Sequence, residues 1–127
     1  MRPAATFPEY PCYRTVAGTN RTVDALVLKY PTLASKVVLN KYPTAEGKLS
    51  LYVLVITNKQ FTPNASFGGK GKLLAISSIH AQEMSTAETM LRFAEYLLQN
   101  HGDDPDVDWI LDCEFRWLSC FKIDFDY

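Results

Sequence analysis

Leu73-Leu74-Ala75-Ile76-Ser77-Ser78-Ile79-His80-Ala81-Gln82-Glu83, running on through Ser85-Thr86-Ala87-Glu88 to Leu98, is the stretch on which the fold turns. Its first seven residues are small or apolar with almost no interruption, and Gly68, Gly69 and Gly71 precede them. A run of that length suits a strand buried on both faces and innermost in its sheet. Ser85 and Glu88 then stand at capping-box spacing, with a hydroxyl at the N-cap and a carboxylate three residues on. Ala87, Met90, Leu91, Ala94, Leu97 and Leu98 recur at helical spacing, predicting a helix over 85–99 whose apolar stripe faces the sheet. The stretch therefore reads as strand, tight turn, helix, with His80 and Glu83 in the turn. Sites in such sheets are built at the carboxyl ends of strands.

Toward the N-terminus, Leu49 to Thr57 has high β propensity and reads as a strand, as does Lys36 to Asn40. Pro43 to Lys48 is a turn between them, which suggests an antiparallel pair. Thr22 reads as the cap of a short helix through Tyr30, with Val23, Leu26, Val27 and Tyr30 on one face and Pro31 ending it. Residues 1–12 hold three of the seven prolines and read as irregular. Asn58 to Lys72 reads as a flexible loop with solvated lysines. Its Gly68-Gly69-Lys70-Gly71-Lys72 is not a phosphate loop: Ser66 and Leu73 occupy positions that need Gly and Ser or Thr, and a strand follows where a helix is required.

Beyond the long helix, Asn100-His101-Gly102-Asp103-Asp104-Pro105 is a stop signal followed by a permitted new first turn. Pro105 to Asp112 reads as a short helix, and the aromatic-rich Cys113 to Tyr127 as a strand. Strands interleaved with helices give an α/β class with a mixed sheet and flanking helices. No composition shift or repeat divides the 127 residues, so 1–127 reads as a single domain.

A hydrophobic content of 47%, a charged content of 21% and a net charge of −1 are those of an ordinary globular chain and give no reason to expect nucleic acid or a membrane as partner. No apolar run approaches the ~20 residues of a membrane helix, and the N-terminus has no signal-peptide core. Cys12, Cys113 and Cys120 make no metal or disulfide framework. Asn20 and Asn64 open glycosylation sequons, which matter only in a secreted eukaryotic protein.

Imidazole nitrogen and carboxylate oxygen both ligate zinc, and His80 and Glu83, three apart across a strand-to-helix turn, can converge on one ion. A catalytic zinc takes three protein ligands and keeps a position for water. His101 is the one other histidine, and about four turns of helix put it ~20 Å away. By spacing alone such a pair is more often only a solvated turn than a metal site.

Around that pair the sequence resembles the zinc carboxypeptidases of the carboxypeptidase A type, bacterial-like members in particular. The motif Ala75 to Glu83, the segment Ser85 to Leu97, Tyr13 to Val16 with Tyr30 to Ala34, Leu51 to Asn58, and Trp109 to Asp112 carry the resemblance, which covers roughly 10–112. It implies a partial zinc-carboxypeptidase-like fold, zinc as cofactor held by His80 and Glu83, and the C-terminus of a peptide or protein as substrate. It also implies a secreted or extracellular location. Gln82 occupies a position where the family commonly has an arginine that helps hold peptide substrate. The family's carboxylate-clamp motif, third ligand, catalytic glutamate and capping tyrosine lie further on, and Tyr127 matches none of them. The chain thus reads as the N-terminal part of a metallocarboxypeptidase catalytic domain with a divergent tail, 113–127, inactive alone. The alternative is a non-catalytic fragment or binding domain on the same scaffold.

Overall fold

The computed structural model describes residues 4–43, 50–61, 70–80 and 82–121, with the side chains of 42, 43 and 113–121 left aside. Most of the expected turn at 43–48, the centre of the glycine-rich loop and Tyr127 lie outside the described residues. The order is β1 (Thr6–Phe7), β2 (Tyr10–Arg14), α1 (Val16–Lys29), β3 (Ala34–Pro43), β4 (Ser50–Ile56), β5 (Gly71–Ser77), α2 (Met84–Asn100), α3 (Pro105–Trp109), a π-helical turn (Ile110–Glu114) and β6 (Phe115–Phe121).

β3 and β4 are antiparallel, as expected, with Ala34 opposite Ile56 and Val38 opposite Tyr52. β6 runs antiparallel to β4 and parallel to β5, which makes the four-stranded sheet mixed, in the order β3-β4-β6-β5. This is the α/β class and mixed sheet with flanking helices that the sequence predicts.

The position of β5 corrects one expectation. It is not innermost: the late strand β6 takes the place between β4 and β5 and leaves β5 at the sheet edge among the described residues. Nor is it buried on both faces, since Leu73, Leu74 and Ile76 are 42%, 55% and 52% exposed. With a neighbour on one side only, its apolar side chains lack the cover that a central strand receives.

The N-terminal segment is also more ordered than its prolines suggest, because β1 and β2 pair antiparallel. α1 starts six residues before the expected cap. Thr15, not Thr22, caps it, its hydroxyl accepting from the Gly18 amide at 3.1 Å. Thr22 is inside the helix and donates its hydroxyl to the Gly18 carbonyl. Gly18 is needed there because a Cβ would collide with the Ala5 carbonyl oxygen.

α2 begins at Met84 with Glu83 as N-cap, so the Ser85–Glu88 capping box does not form. Glu88 is buried instead, bonded by Arg14 and Arg92. The expected helix over 105–112 ends at Trp109 and continues as the π-helical turn. Asp104 caps it by accepting from the Asp106 amide at 3.0 Å. The glycine-rich loop does not leave its lysines in water throughout: Lys70 Nζ donates to Thr57 Oγ1, the Asn58 carbonyl and the Leu111 carbonyl at 3.0, 2.8 and 2.6 Å.

One core joins these pieces. Val23 and Leu26 from α1, Leu54 and Ile56 from β4, Leu91, Ala94, Leu97 and Leu98 from α2, and Val107 and Leu111 are buried together, with Met90 packed against them. Each fully buried aliphatic side chain contributes about 1.5–3 kcal/mol relative to exposure. The expected face of α2 is thus the one that packs, and it fixes where the helix begins relative to β5. No helix among the described residues is long and apolar enough to cross a membrane.

Candidate metal centre

The turn from β5 to α2 is closed by short polar links. Ser78, at the end of β5, takes a left-handed backbone with φ of 52°, unusual for a residue with a Cβ. Its amide donates to Thr86 Oγ1 and its hydroxyl to the Glu83 carbonyl, both at 3.0 Å. The Thr86 hydroxyl donates to the same carbonyl at 2.8 Å. The Glu83 amide donates to the His80 carbonyl at 3.0 Å, and the His80 amide lies 3.4 Å from Glu83 Oε2. His80 and Glu83 are therefore held together in one small loop at the carboxyl end of β5. His80 is exposed and Glu83 half-buried. The positive end of the α2 dipole favours the Glu83 carboxylate where it stands.

His101 is engaged elsewhere. Its Nε2 is 2.8 Å from Asp112 Oδ1 and 3.7 Å from Asp108 Oδ1, and Asn58 Nδ2 donates to the same Asp112 oxygen at 2.8 Å. Burial pushes the Asp112 carboxyl up, but the bonds from His101 and Asn58 and the electrostatic pull of His101 and Lys70 outweigh it and hold it below its ordinary value. No group of three or more His, Cys, Asp or Glu side chains among the described residues could hold a metal. By the chemistry of its donors, the turn fits two corners of a zinc cage, one nitrogen and one oxygen, and offers no third.

Beside the turn, Tyr10 and Tyr13 of β2 face Gln82, Met84 and Ser85 across an open depression of about 210 Å³. Gln82 is exposed. In the sequence Tyr10 falls in the proline-rich segment 1–12 and Tyr13 opens one of the stretches that carry the family resemblance, and neither reads as a site residue. Nothing local marks them, because the residues they face lie some seventy positions on. Arg14, next in β2, is fully committed: Nη1 meets Glu88 Oε1 at 2.8 Å, and Nη2 meets both oxygens of Glu95 at 2.9 Å.

The sequence profile of the zinc carboxypeptidase family matches residues 19–120. The match begins after the N-terminal end of the resemblance read from the sequence and runs into β6. No curated protein sequence matches the chain. Among solved structures, the thrombin activatable fibrinolysis inhibitor is similar with a TM-score of 0.72 at 19% identity, covering 92% of this chain and 27% of that one. The bovine thrombin-activatable fibrinolysis inhibitor, in complex with tick carboxypeptidase inhibitor, is similar with a TM-score of 0.64 at 18% identity, covering 84% of this chain and 29% of that one. At such identities the likeness is one of fold, and the chain spans less than a third of the length of either structure.

Proposed function

The chain belongs to the zinc carboxypeptidase family, and from that premise we propose that it serves the zinc-dependent removal of C-terminal amino acids from peptides. In this reading it is a member of the carboxypeptidase A type, bacterial-like, and supplies His80 and Glu83 as two zinc ligands. The observation that carries the reading is the turn itself: His80 and Glu83 share one hydrogen-bonded loop at the carboxyl end of β5, ahead of α2. When bound, zinc supplies a Lewis acid that polarises a carbonyl and makes bound water acidic near neutral pH.

The chain's own residues do the rest of its share. The His80 imidazole is exposed and open to an ion. Glu83 is oriented by the His80 amide and by its place at the α2 N-terminus, so its carboxylate is positioned before any ligand arrives. Gln82 presents a neutral amide, able to donate to a peptide carbonyl and accept from a peptide N–H. A third ligand, a general base and a cation for the terminal carboxylate complete the activity, and we place them outside the described residues. Loss of a base or an electrostatic stabiliser costs ~10²–10⁴ in rate each, so the chain by itself is inactive in this reading.

The absence of a three-donor group among the described residues also favours a second reading, a non-catalytic domain on the same scaffold. Zinc titration by calorimetry separates them. Weak binding abolished by His80→Ala and by Glu83→Ala supports the half-site, and no zinc uptake supports the second reading. Nanomolar affinity requires a third protein ligand and contradicts both. An assay of the chain on peptides of varied C-terminus is expected to release no amino acid.

A further inference from the structure

The depression between β2 and the start of α2 has a use beyond the zinc half-site. We infer that Tyr10, Tyr13, Gln82, Met84 and Ser85 form a subsite for one neutral, preferably aromatic, side chain of a bound peptide, on the N-terminal side of the cleaved bond. The inference rests on the peptide-processing reading above and adds a selectivity to it.

Size fixes what fits. At about 210 Å³ the depression is smaller than the ~300–1,000 Å³ of pockets that take whole small molecules, so it suits a single side chain. Lining fixes the chemistry. Two phenol rings and a thioether give apolar, polarisable walls that pack well against an aromatic ring, while Gln82 and Ser85 can bond the peptide backbone beside it.

Charge fixes which part of the peptide enters. Among the described residues no charged side chain lines the depression. The cation next along β2, Arg14, has its guanidinium spent on Glu88 and Glu95. A terminal residue carries a carboxylate that needs a cation, so this is no place for it. Position agrees: Gln82 and Met84 flank Glu83 in sequence, each ~3.8 Å away by Cα, so a side chain seated here belongs to a residue close to the metal-proposed turn.

The test uses the full chain without zinc and two tetrapeptides blocked at both ends, one with a single phenylalanine among alanines and one of alanine alone. Binding is followed by NMR through the Met84 methyl and the Tyr10 and Tyr13 rings. The phenylalanine peptide is expected to shift those signals and to bind about five- to tenfold more tightly than the alanine peptide. Met84→Ala and Tyr10→Ala are each expected to erase most of that preference with no change in melting temperature. Tyr10 is 56% exposed, so its replacement leaves the fold intact. Equal affinity for the two peptides, or shifts centred elsewhere, overturns the subsite. The blocked probes need neither zinc nor a free carboxylate, so their failure is distinct from a failure of zinc to bind at His80 and Glu83.

Discussion

Arg14 reaches Glu88 twice: its backbone amide donates to Oε2 at 3.1 Å and its Nη1 to Oε1 at 2.8 Å. The contact fastens β2 to the second turn of α2. Glu88 is 8% exposed, and a carboxylate that deep is tolerable only because Arg14 and Arg92 both bond it. Glu88→Ala is expected to cost about 2–3 kcal/mol, below the ~3–5 of a fully buried pair because Glu95 still partners Arg14. Arg92, at 60% side-chain exposure, is the contrasting case, and Arg92→Ala is expected to stay within about 1 kcal/mol. Urea denaturation of both variants checks the ranking, and equal losses would contradict it.

Thr86 is the second point of fixation. Its hydroxyl accepts from the Ser78 amide and donates to the Glu83 carbonyl. Thr86→Val keeps the shape but strands the amide of a residue only 2% exposed, for an expected loss of about 1–3 kcal/mol, whereas Thr86→Ser should cost less than 1. Amide hydrogen exchange at Ser78 should quicken in the valine variant and not in the serine one.

Acid should act through Asp112. Its carboxyl is held below the ordinary value, so its contribution to stability is present in full above about pH 4–5 and is lost as pH falls through the lowered folded value. Asp112→Asn is therefore expected to melt below the parent at pH 6. The gap should close as the pH is taken down toward 3. A gap that widened in acid would reverse the sign of the argument.

The edge position of β5 among the described residues predicts self-association. A strand edge bordered by exposed Leu74 and Ile76 is a template for another strand. Ile76→Lys is expected to suppress concentration-dependent association in sedimentation velocity while changing stability by no more than about 0.5 kcal/mol.

Local patterns carried part of this molecule and long-range partners the rest. The apolar spacing of α2 was legible because Leu91, Ala94 and Leu98 follow helical geometry whatever they pack against. β3 and β4 were legible for the same reason, from a turn signal between two β-rich runs. The start of α1 was hidden because Gly18, Thr19 and Asn20 are weak helix formers, and the helix there depends on Thr15 and on the approach of Ala5. The capping box misled because Glu88 found Arg14, seventy-four residues back, a better partner than its own helix end. Leu73 to Ile76 looked central because an apolar strand carries no mark of its sheet order. His80 and Glu83 were visible as a motif, but the loop that joins them depends on Ser78 and Thr86 hydroxyls, which spacing does not reveal.

The place of β6 has a consequence for the order of assembly. β4 and β5 have no ladder with each other; they are linked only through β6 among the described residues, with Tyr52 opposite Phe121 and Gly71 opposite Phe115. As the chain is synthesised, the β3–β4 hairpin and α1 can form early from nearby residues. β5 and the metal-proposed turn at its end must then wait, with no strand beside them, until residues 115–121 arrive. Loops of such length close slowly because their entropy is lost before any contact repays it. The interval before the last described strand inserts is therefore when an unpaired Leu73–Ile76 is expected to be most open to a wrong partner.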